Sequence, residues 1–279
     1  MSRAPGRPTA AGVAGWPVAH SLSPTMMNAW LEAAGIPARY AAFEVSPDQF
    51  EQTARALPGL GVRGINITLP HKEAALALAD AASETARRIG AANVLLTTAE
   101  GGLFADNTDV AGVRAALGEG GDAGAGPAVL IGAGGAARAA LAVLAGTDRE
   151  IRIVNRTPAR ARTLADAFGV DAVIYESAGA EALADAALII NATSLGMTGQ
   201  PTLGIALDAA APDALVFDMV YDPLETPLLA AARASGRRAV DGLAMLIGQA
   251  RPSFEAFFGA APPDIDIRAR LVEELEARR

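Results

Sequence analysis

The stretch VLIGAGGAARAAL, Val129–Leu141, decides how this chain folds. Its apolar opening runs into Gly132, Gly134 and Ala137, the spacing G-x-G-x-x-G/A, and an alanine-rich helical pattern follows. Gly132 allows a tight turn and Gly134 lets the backbone approach a pyrophosphate. The small Ala137 lets helix and strand pack closely, while the helix start offers unpaired N–H groups to phosphates. Ala128–Ile131 therefore reads as a strand, Gly134 onward as a helix, and Ile151–Val154 as the next strand of a βαβ unit. A lone glycine triplet also fits a merely tight turn; the strand before it and the helix after it point to a bound dinucleotide.

The end of the next strand selects the cofactor. A site for NAD wants an Asp or Glu there to hold the ribose 2′-OH. This chain has Asn155-Arg156-Thr157, with Arg160 one helical turn on. A guanidinium and a hydroxyl suit a 2′-phosphate. A charge-assisted hydrogen bond of about 1.5–3 kcal/mol favours NADP roughly ten- to a hundredfold. The same residues also read as helix caps with solvated arginines, since Thr157-Pro158 is a cap followed by a first helical residue, and both readings can hold together.

Working outward, Gly12–Gly15 starts a strand, Ser23 is an N-cap with Pro24 at the first helical position, and Gly35 stops that helix. Arg39–Val45 and Arg63–Thr68 read as strands, Ser46-Pro47 opens a helix, and another covers about His71–Ala79. Asn93–Ala99 and Leu103–Asn107 flank Gly101-Gly102, a two-glycine hairpin signal. The glycine-rich segment Gly118–Gly126 reads as a surface loop between the helical pattern Val110–Leu117 and the dinucleotide strand. Buried-strand runs recur at Leu188–Ile190 and Leu215–Met219, and the chain is amphipathic and helical from about Leu243.

Composition bounds the function. At about 100–200 residues per domain, 279 residues favour two domains. With 51% hydrophobic and 19% charged residues there is material for real cores. A formal charge of −8 without a Lys/Arg stripe argues against a nucleic-acid partner. The absence of cysteine excludes a disulfide framework, a thiolate nucleophile and a Cys-type zinc site, and two histidines, His20 and His71, exclude a multi-histidine metal centre. Apolar runs such as Ala186–Ile190 fall far short of the ~20 residues that cross a bilayer. The first eleven residues lack the apolar core of a signal peptide and read as a loose terminus, so a cytoplasmic protein is expected.

Four clusters carry more specific chemistry. In GWPVAHSLSPTMMN, Gly15–Asn28, Ser21 and Ser23 set two hydroxyls at a helix N-terminus, an arrangement suited to a small carboxylate and equally readable as a plain Ser-Pro cap. In NITLPHK, Asn66, Thr68 and Lys72 follow a strand end, and a lysine there sits against the positive end of the helix dipole. GAANV, Gly90–Val94, leads into the hairpin, and ADNTDVAG, Ala105–Gly112, holds Asp106 and Asp109, which otherwise read as turn and cap residues.

With these clusters in order, followed by GAGGAARA, NRT, NATSLGM (Asn191–Met197), DMVYDPLETPLL (Asp218–Leu229) and DGLAMLIGQA (Asp241–Ala250), the sequence resembles the shikimate dehydrogenase family from about Gly12 to Phe258. The resemblance implies an α/β fold of two α/β domains. One is an N-terminal mixed-sheet substrate domain, residues 1–109 plus 241–279, to which the last helices return. The other is a Rossmann-type parallel-sheet NADP domain, residues 110–240. It also implies a reversible NADP-linked oxidation of shikimate to 3-dehydroshikimate, in a cleft between the two. Ser21 and Ser23 then resemble the carboxylate clamp, and Thr68, Asn93, Tyr221 and Gln249 the groups that hold hydroxyls. Lys72 and Asp109 resemble the catalytic pair, with Asp109 also on the substrate hydroxyl. Gly132, Ala133, Gly134, Gly135 and Ala136 resemble the pyrophosphate contacts, and Asn155, Arg156, Thr157 and Arg160 the adenosine-phosphate contacts. Met219 and Gly242 look like nicotinamide-side contacts and Glu84 a weaker cofactor contact. Thr193 and Ser194 would lie at a strand end beside the cofactor or form a plain turn. Met27 departs from the histidine that many members carry there. No metal is implied, and the oligomeric state is monomer or homodimer.

Oxidising a secondary alcohol removes a hydride from carbon and a proton from oxygen. Lys72 is expected to transfer the proton or stabilise the alkoxide, and Asp109 to bind the hydroxyl and orient the lysine; which of them is the formal base stays open. Two alternatives stand beside this reading: a quinate/shikimate dehydrogenase using NAD, and a non-catalytic NADP-sensing regulator. Retention of both Lys72 and Asp109 argues against the latter.

Overall fold

The structure, a computed structural model, describes residues 9–278. It divides into two compact units, one running to Thr108 and resuming at Ala250, the other Asp109–Gln249.

The first unit contains β1 (Thr9–Gly15), α1 (Ser23–Ala33), β2 (Ala38–Glu44), α2 (Phe50–Ala56), β3 (Gly64–Ile67), α3 (Lys72–Leu78), β4 (Ala81–Ala82), α4 (Glu84–Ile89), β5 (Val94–Thr97) and β6 (Leu103–Asp106). The strands form one sheet in the order β2-β1-β3-β5-β6-β4. β1 is parallel to β2 and β3, β5 is antiparallel to β3 and β6, and β4 is parallel to β6, so the sheet is mixed. Ile65, Ile67, Leu95 and Ala105 pack with Phe50 and Ala75 as its core.

Helix α1 stops where Gly35 takes φ +62°. The Gly35 N–H bonds the Glu32 carbonyl and the Ile36 N–H the Leu31 carbonyl, the paired bonds of a Schellman motif. Its buried face carries Met26, Met27 and Trp30, so Met27 is a core residue. Asn28 ties the helix to the edge strand, donating to the Tyr40 carbonyl and accepting from the Tyr40 N–H.

Several sequence readings are corrected. Leu22, not Ser23, is the N-cap of α1; Ser23 is its first residue and Pro24 follows. Ser46-Pro47 opens a turn, closed by the Gln49 N–H on the Ser46 carbonyl, and α2 begins only at Phe50. In the hairpin Gly101 alone has positive φ, at +83°, and the Thr98 N–H bonds the Gly102 carbonyl, which makes the loop longer than a two-glycine turn. Of the supposed loose terminus, residues 1–8 lie outside the described residues, whereas Thr9–Ala11 belong to β1, paired with Ala38–Tyr40.

The second unit contains α5 (Asp109–Gly120), β7 (Ala128–Ile131), α6 (Gly135–Leu144), β8 (Ile151–Val154), α7 (Pro158–Phe168), β9 (Ala172–Tyr175), α8 (Ala180–Leu183), β10 (Leu188–Asn191), β11 (Leu215–Asp218), α9 (Pro227–Ala234) and β12 (Arg238–Val240). All six strands are parallel, in the order β12-β11-β10-β7-β8-β9. The direction of winding reverses between β7 and β10, the doubly wound order of dinucleotide-binding sheets, which bind at the carboxyl end of that switch point. Both faces are covered. Leu130, Ile153, Ile190 and Phe217 pack with Leu141 and Leu164 on one side, and Val129, Ile131, Ile189 and Val216 with Leu183 and Leu229 on the other. Burial on both faces is why these strands read as unbroken apolar runs.

Helix α10 (Gly242–Phe258) crosses the division at Gln249/Ala250, and α11 (Ile267–Ala277) follows. The second seam thus falls later than residue 240. A Cβ on Gly112 would stand 2.7 Å from the Met245 carbonyl oxygen, and one on Gly248 2.5 Å from the Ala115 Cβ. This close approach of α5 and the first half of α10 groups residues 242–249 with the parallel sheet. Helix α11 packs on α1, and Arg278 donates to the His20 carbonyl at 2.8 Å, returning the end of the chain to the first unit. The loop after Gly120 is held by Arg149, which donates to the carbonyls of Gly124 and Gly126. No helix among the described residues is long and apolar enough to cross a membrane.

Candidate active site

In the first unit, the expected substrate residues gather at the carboxyl ends of β1 and β3. The chain leaves β1 at Gly15, where a Cβ would stand 2.3 Å from the Thr68 methyl carbon, and the Trp16 N–H bonds the Leu69 carbonyl at 2.9 Å. Gly15 is thus the residue that lets the two strand ends approach. Ser21 and Ser23 lie on the turn that follows, and the Ser21 hydroxyl oxygen accepts the Ser23 N–H at 3.2 Å. Ser21 therefore does the capping work that the sequence assigned to Ser23.

Lys72 opens α3 behind its N-cap, His71. The His71 ring is buried, stacked on Phe50 at 4.4 Å, with Nε2 2.7 Å from the Val45 carbonyl oxygen. The Lys72 carbonyl accepts from the Ala92 N–H at 2.8 Å, and the Asn93 carbonyl from the Ile67 N–H at 2.8 Å. Thr68, Lys72 and Asn93 are thereby brought to one strand end.

Asn93 is held by a buried polar network that the sequence did not announce. Its Oδ1 accepts the Thr108 N–H at 2.7 Å and its Nδ2 donates to the Thr108 hydroxyl at 2.9 Å. Asn66 donates to the Asn93 carbonyl at 3.1 Å and to the Ser253 hydroxyl at 3.0 Å, and accepts from the Tyr40 phenol at 2.7 Å. Burial pushes the Tyr40 pKa well up, so the phenol stays a donor. Ser253 also lies 3.2 Å from the Thr108 hydroxyl. Asn66 stood out within NITLPHK and Thr108 adjoins Asp109, but nothing local marks Tyr40 or Ser253.

In the second unit, Asp109 is the first residue of α5 and is buried. The glycine turn follows β7. Gly132 has φ +113°, and a Cβ there would meet the Thr193 methyl at 3.0 Å and the Ala192 carbonyl oxygen at 3.1 Å. Gly134 is the N-cap of α6, and a Cβ on it would meet nothing within 4 Å. The space in front of the helix start is open, with Ala133, Gly135 and Ala136 beside it, and a helix start of this kind can take a phosphate. Ala137, on α6, is fully buried in the core that packs against the parallel sheet.

At the end of β8, Asn155 donates to the Thr157 carbonyl at 2.9 Å, and Thr157 is the N-cap of α7 without a side-chain capping bond. Arg156 and Arg160 are exposed and make no ion pair or side-chain hydrogen bond among the described residues. No carboxylate stands at that strand end. The residues present therefore fit a dinucleotide bearing a 2′-phosphate.

Met219 and Tyr221 follow β11, half-buried. A Cβ on Gly242 would lie 2.3 Å from the Met219 carbonyl oxygen, so only glycine lets α10 begin against that turn. Gln249 is half-buried, with Nε2 donating to the Leu246 carbonyl. Thr193 forms a turn, its hydroxyl 2.7 Å from Asn191 Oδ1 and accepting the Leu195 N–H, while Ser194 is exposed. Glu84 is exposed in the first turn of α4, in the first unit, whereas the other expected cofactor residues lie in the second. Among the described residues no group of His, Cys, Asp and Glu is placed to hold a metal ion.

Residues 13–95 match the family model for a shikimate dehydrogenase substrate binding domain, and residues 118–198 the model for shikimate/quinate 5-dehydrogenase. The chain is 49% identical, over 96% of its length and 97% of the relative's, to the shikimate dehydrogenase (NADP(+)) of Maricaulis maris. The shikimate 5-dehydrogenase of Thermus thermophilus, solved with NADP(H) and shikimate, superposes with a TM-score of 0.83 at 36% identity, covering 97% of this chain and 100% of that one. A quinate dehydrogenase from Corynebacterium glutamicum, solved with NAD, gives 0.85 at 32% identity, covering 96% and 99%.

Proposed function

The chain belongs to the shikimate dehydrogenase family, and from that premise we propose that it interconverts shikimate and 3-dehydroshikimate, with NADP as hydride carrier, in the synthesis of aromatic amino acids. The observation that carries the substrate reading is the approach of the ends of β1 and β3, which brings Thr68, Lys72 and Asn93 to one strand end, with Ser21 and Ser23 on the turn that leaves the other. Two serine hydroxyls, a threonine, an amide and a lysine nitrogen form a hydrogen-bonding set for a small polyhydroxylated carboxylate.

NADP supplies hydride acceptance and donation at its nicotinamide. The protein binds and orients the sugar acid and moves one proton. Ser21 and Ser23 hold the carboxylate, and Thr68, Asn93, Tyr221 and Gln249 the hydroxyls. Asp109 orients Lys72 at the reacting hydroxyl. Lys72 takes up its proton as the O–H bond breaks and the C=O bond forms, and returns it in the reverse direction. Gly132–Ala136 receive the pyrophosphate; Asn155, Arg156, Thr157 and Arg160 receive the 2′-phosphate side; Met219 and Gly242 adjoin the nicotinamide and Glu84 makes a peripheral contact. The enzyme is read as cytoplasmic, a monomer or homodimer.

Absorbance at 340 nm tests the reading: shikimate with NADP should turn over. Turnover confined to quinate with NAD assigns the chain to the quinate branch, and no turnover with either pair favours a sensor.

A further inference from the structure

Asp218 ends β11 with no exposed surface, and among the described residues no cation pairs with it. Three neutral donors surround its carboxylate. Asn191 Nδ2 lies 2.8 Å and the Val220 N–H 3.1 Å from Oδ1, and the Thr226 hydroxyl lies 2.7 Å from Oδ2. Burying a carboxylate without a cation is costly, and an asparagine would fill the same volume more cheaply. What only the carboxylate offers is acceptance on both oxygens.

That property fixes three segments at once. Because Asp218 takes the Asn191 amide N–H, Asn191 must turn its Oδ1 the other way, where it accepts the Thr193 N–H at 3.0 Å and the Thr193 hydroxyl at 2.7 Å. Thr193 in turn is the residue against which the glycine turn at Gly132 packs. On the other side, Asp218 holds the Val220 N–H, and Gly242 bonds the Val220 carbonyl at 3.1 Å, clamping the Met219–Val220 backbone. Thr226, held by Oδ2, is the N-cap of α9 and accepts the Leu229 N–H.

We propose that Asp218 is a positioning residue for the dinucleotide: its buried carboxylate sets the spacing between the glycine turn with Thr193 and the Met219 turn, so that the pyrophosphate and the nicotinamide both meet their contacts. The inference rests on the NADP reading above. Calorimetric titration with NADP of the wild-type chain, Asp218→Asn and Thr226→Val, with thermal unfolding of each protein without ligand and the KM for shikimate, tests it. Asp218→Asn should weaken NADP binding about tenfold or more, from loss of hydrogen bonds to a charged group, while the KM for shikimate changes less than about twofold. Thr226→Val, which removes one donor, should weaken NADP binding about threefold and carries the test if Asp218→Asn does not fold. Variants that unfold at lower temperature yet bind NADP as wild type does overturn the inference, as does an equal loss of affinity for both ligands. A wild-type chain that binds no NADP overturns the cofactor reading instead.

Discussion

Asn66, in the middle of β3, and Ser253, in the second half of α10, are hydrogen-bonded at 3.0 Å across 187 positions of sequence. The same Asn66 nitrogen reaches the Asn93 carbonyl, so one buried amide joins the last long helix to the strand end where Thr68 and Lys72 stand. Ser253→Ala should cost about 1–3 kcal/mol of stability in urea unfolding, the penalty of partners left unmatched. It should also raise the KM for shikimate while leaving NADP affinity unchanged. An unaltered KM would detach Ser253 from the positioning of Asn93.

Replacing Lys72 removes the group assigned to the proton. Lys72→Ala should lower kcat by about 10²–10⁴ with a much smaller change in KM, in steady-state assays with shikimate and NADP. A variant with wild-type kcat would leave the proton to another group.

The two glycines of the cofactor turn should respond differently to alanine. At Gly134, a new Cβ meets open space, so Gly134→Ala should unfold as the wild type does yet bind NADP more weakly, the methyl occupying the phosphate cradle. At Gly132, φ is +113° and the Thr193 methyl lies 3.0 Å from a new Cβ, so Gly132→Ala should lose about 1–2 kcal/mol or more of stability as well as affinity. Differential scanning calorimetry with NADP titration separates them; equal stability losses would contradict the open cradle.

Arg156→Ala should raise the KM for NADP about ten- to a hundredfold and leave that for NAD nearly unchanged, because only the 2′-phosphate loses a charge-assisted bond. Parallel loss with both cofactors would move the arginine's role elsewhere.

Burial raises the Asp218 pKa, against the opposing pull of its bonds from Thr226, Val220 and Asn191. A carboxyl that holds its proton more tightly when folded gives the folded state an advantage that is complete below the ordinary aspartate value. The advantage is lost as pH rises through the raised one. The stability of the wild type minus that of Asp218→Asn should therefore decline as pH increases across that interval, in urea unfolding from acid to neutral pH. A flat difference would mean that burial leaves the group untouched.

The parts legible in the sequence are those whose physics is local. The turn at Gly132–Gly134, the strands flanking it and the absence of a carboxylate after Val154 lie within one contiguous βαβ unit. Spacing and residue size are enough to read them. Gly35 stops α1 locally: its N–H bonds the carbonyl three residues back, and the Ile36 N–H the carbonyl five residues back. A Ser-Pro pair permits either a cap or a first turn, and here the choice falls to Ser21, whose hydroxyl accepts the Ser23 N–H. The two-residue β4 has no periodicity to read and exists by pairing with Phe104 and Ala105.

What the chain folded into space alone could settle is which polar residues are withdrawn from water and what meets them there. Tyr40, Asn66, Thr108 and Ser253 lie far apart along the chain, as do Asn191 and Asp218. A linear reading puts several of them in strands or motifs but gives none of them its partner. Burial removes water as their partner, and each must then find its hydrogen bonds in another segment. That requirement joins α10 to β3, and the turn after β10 to the turn after β11. It arises only once the sheets have formed and closed around these groups.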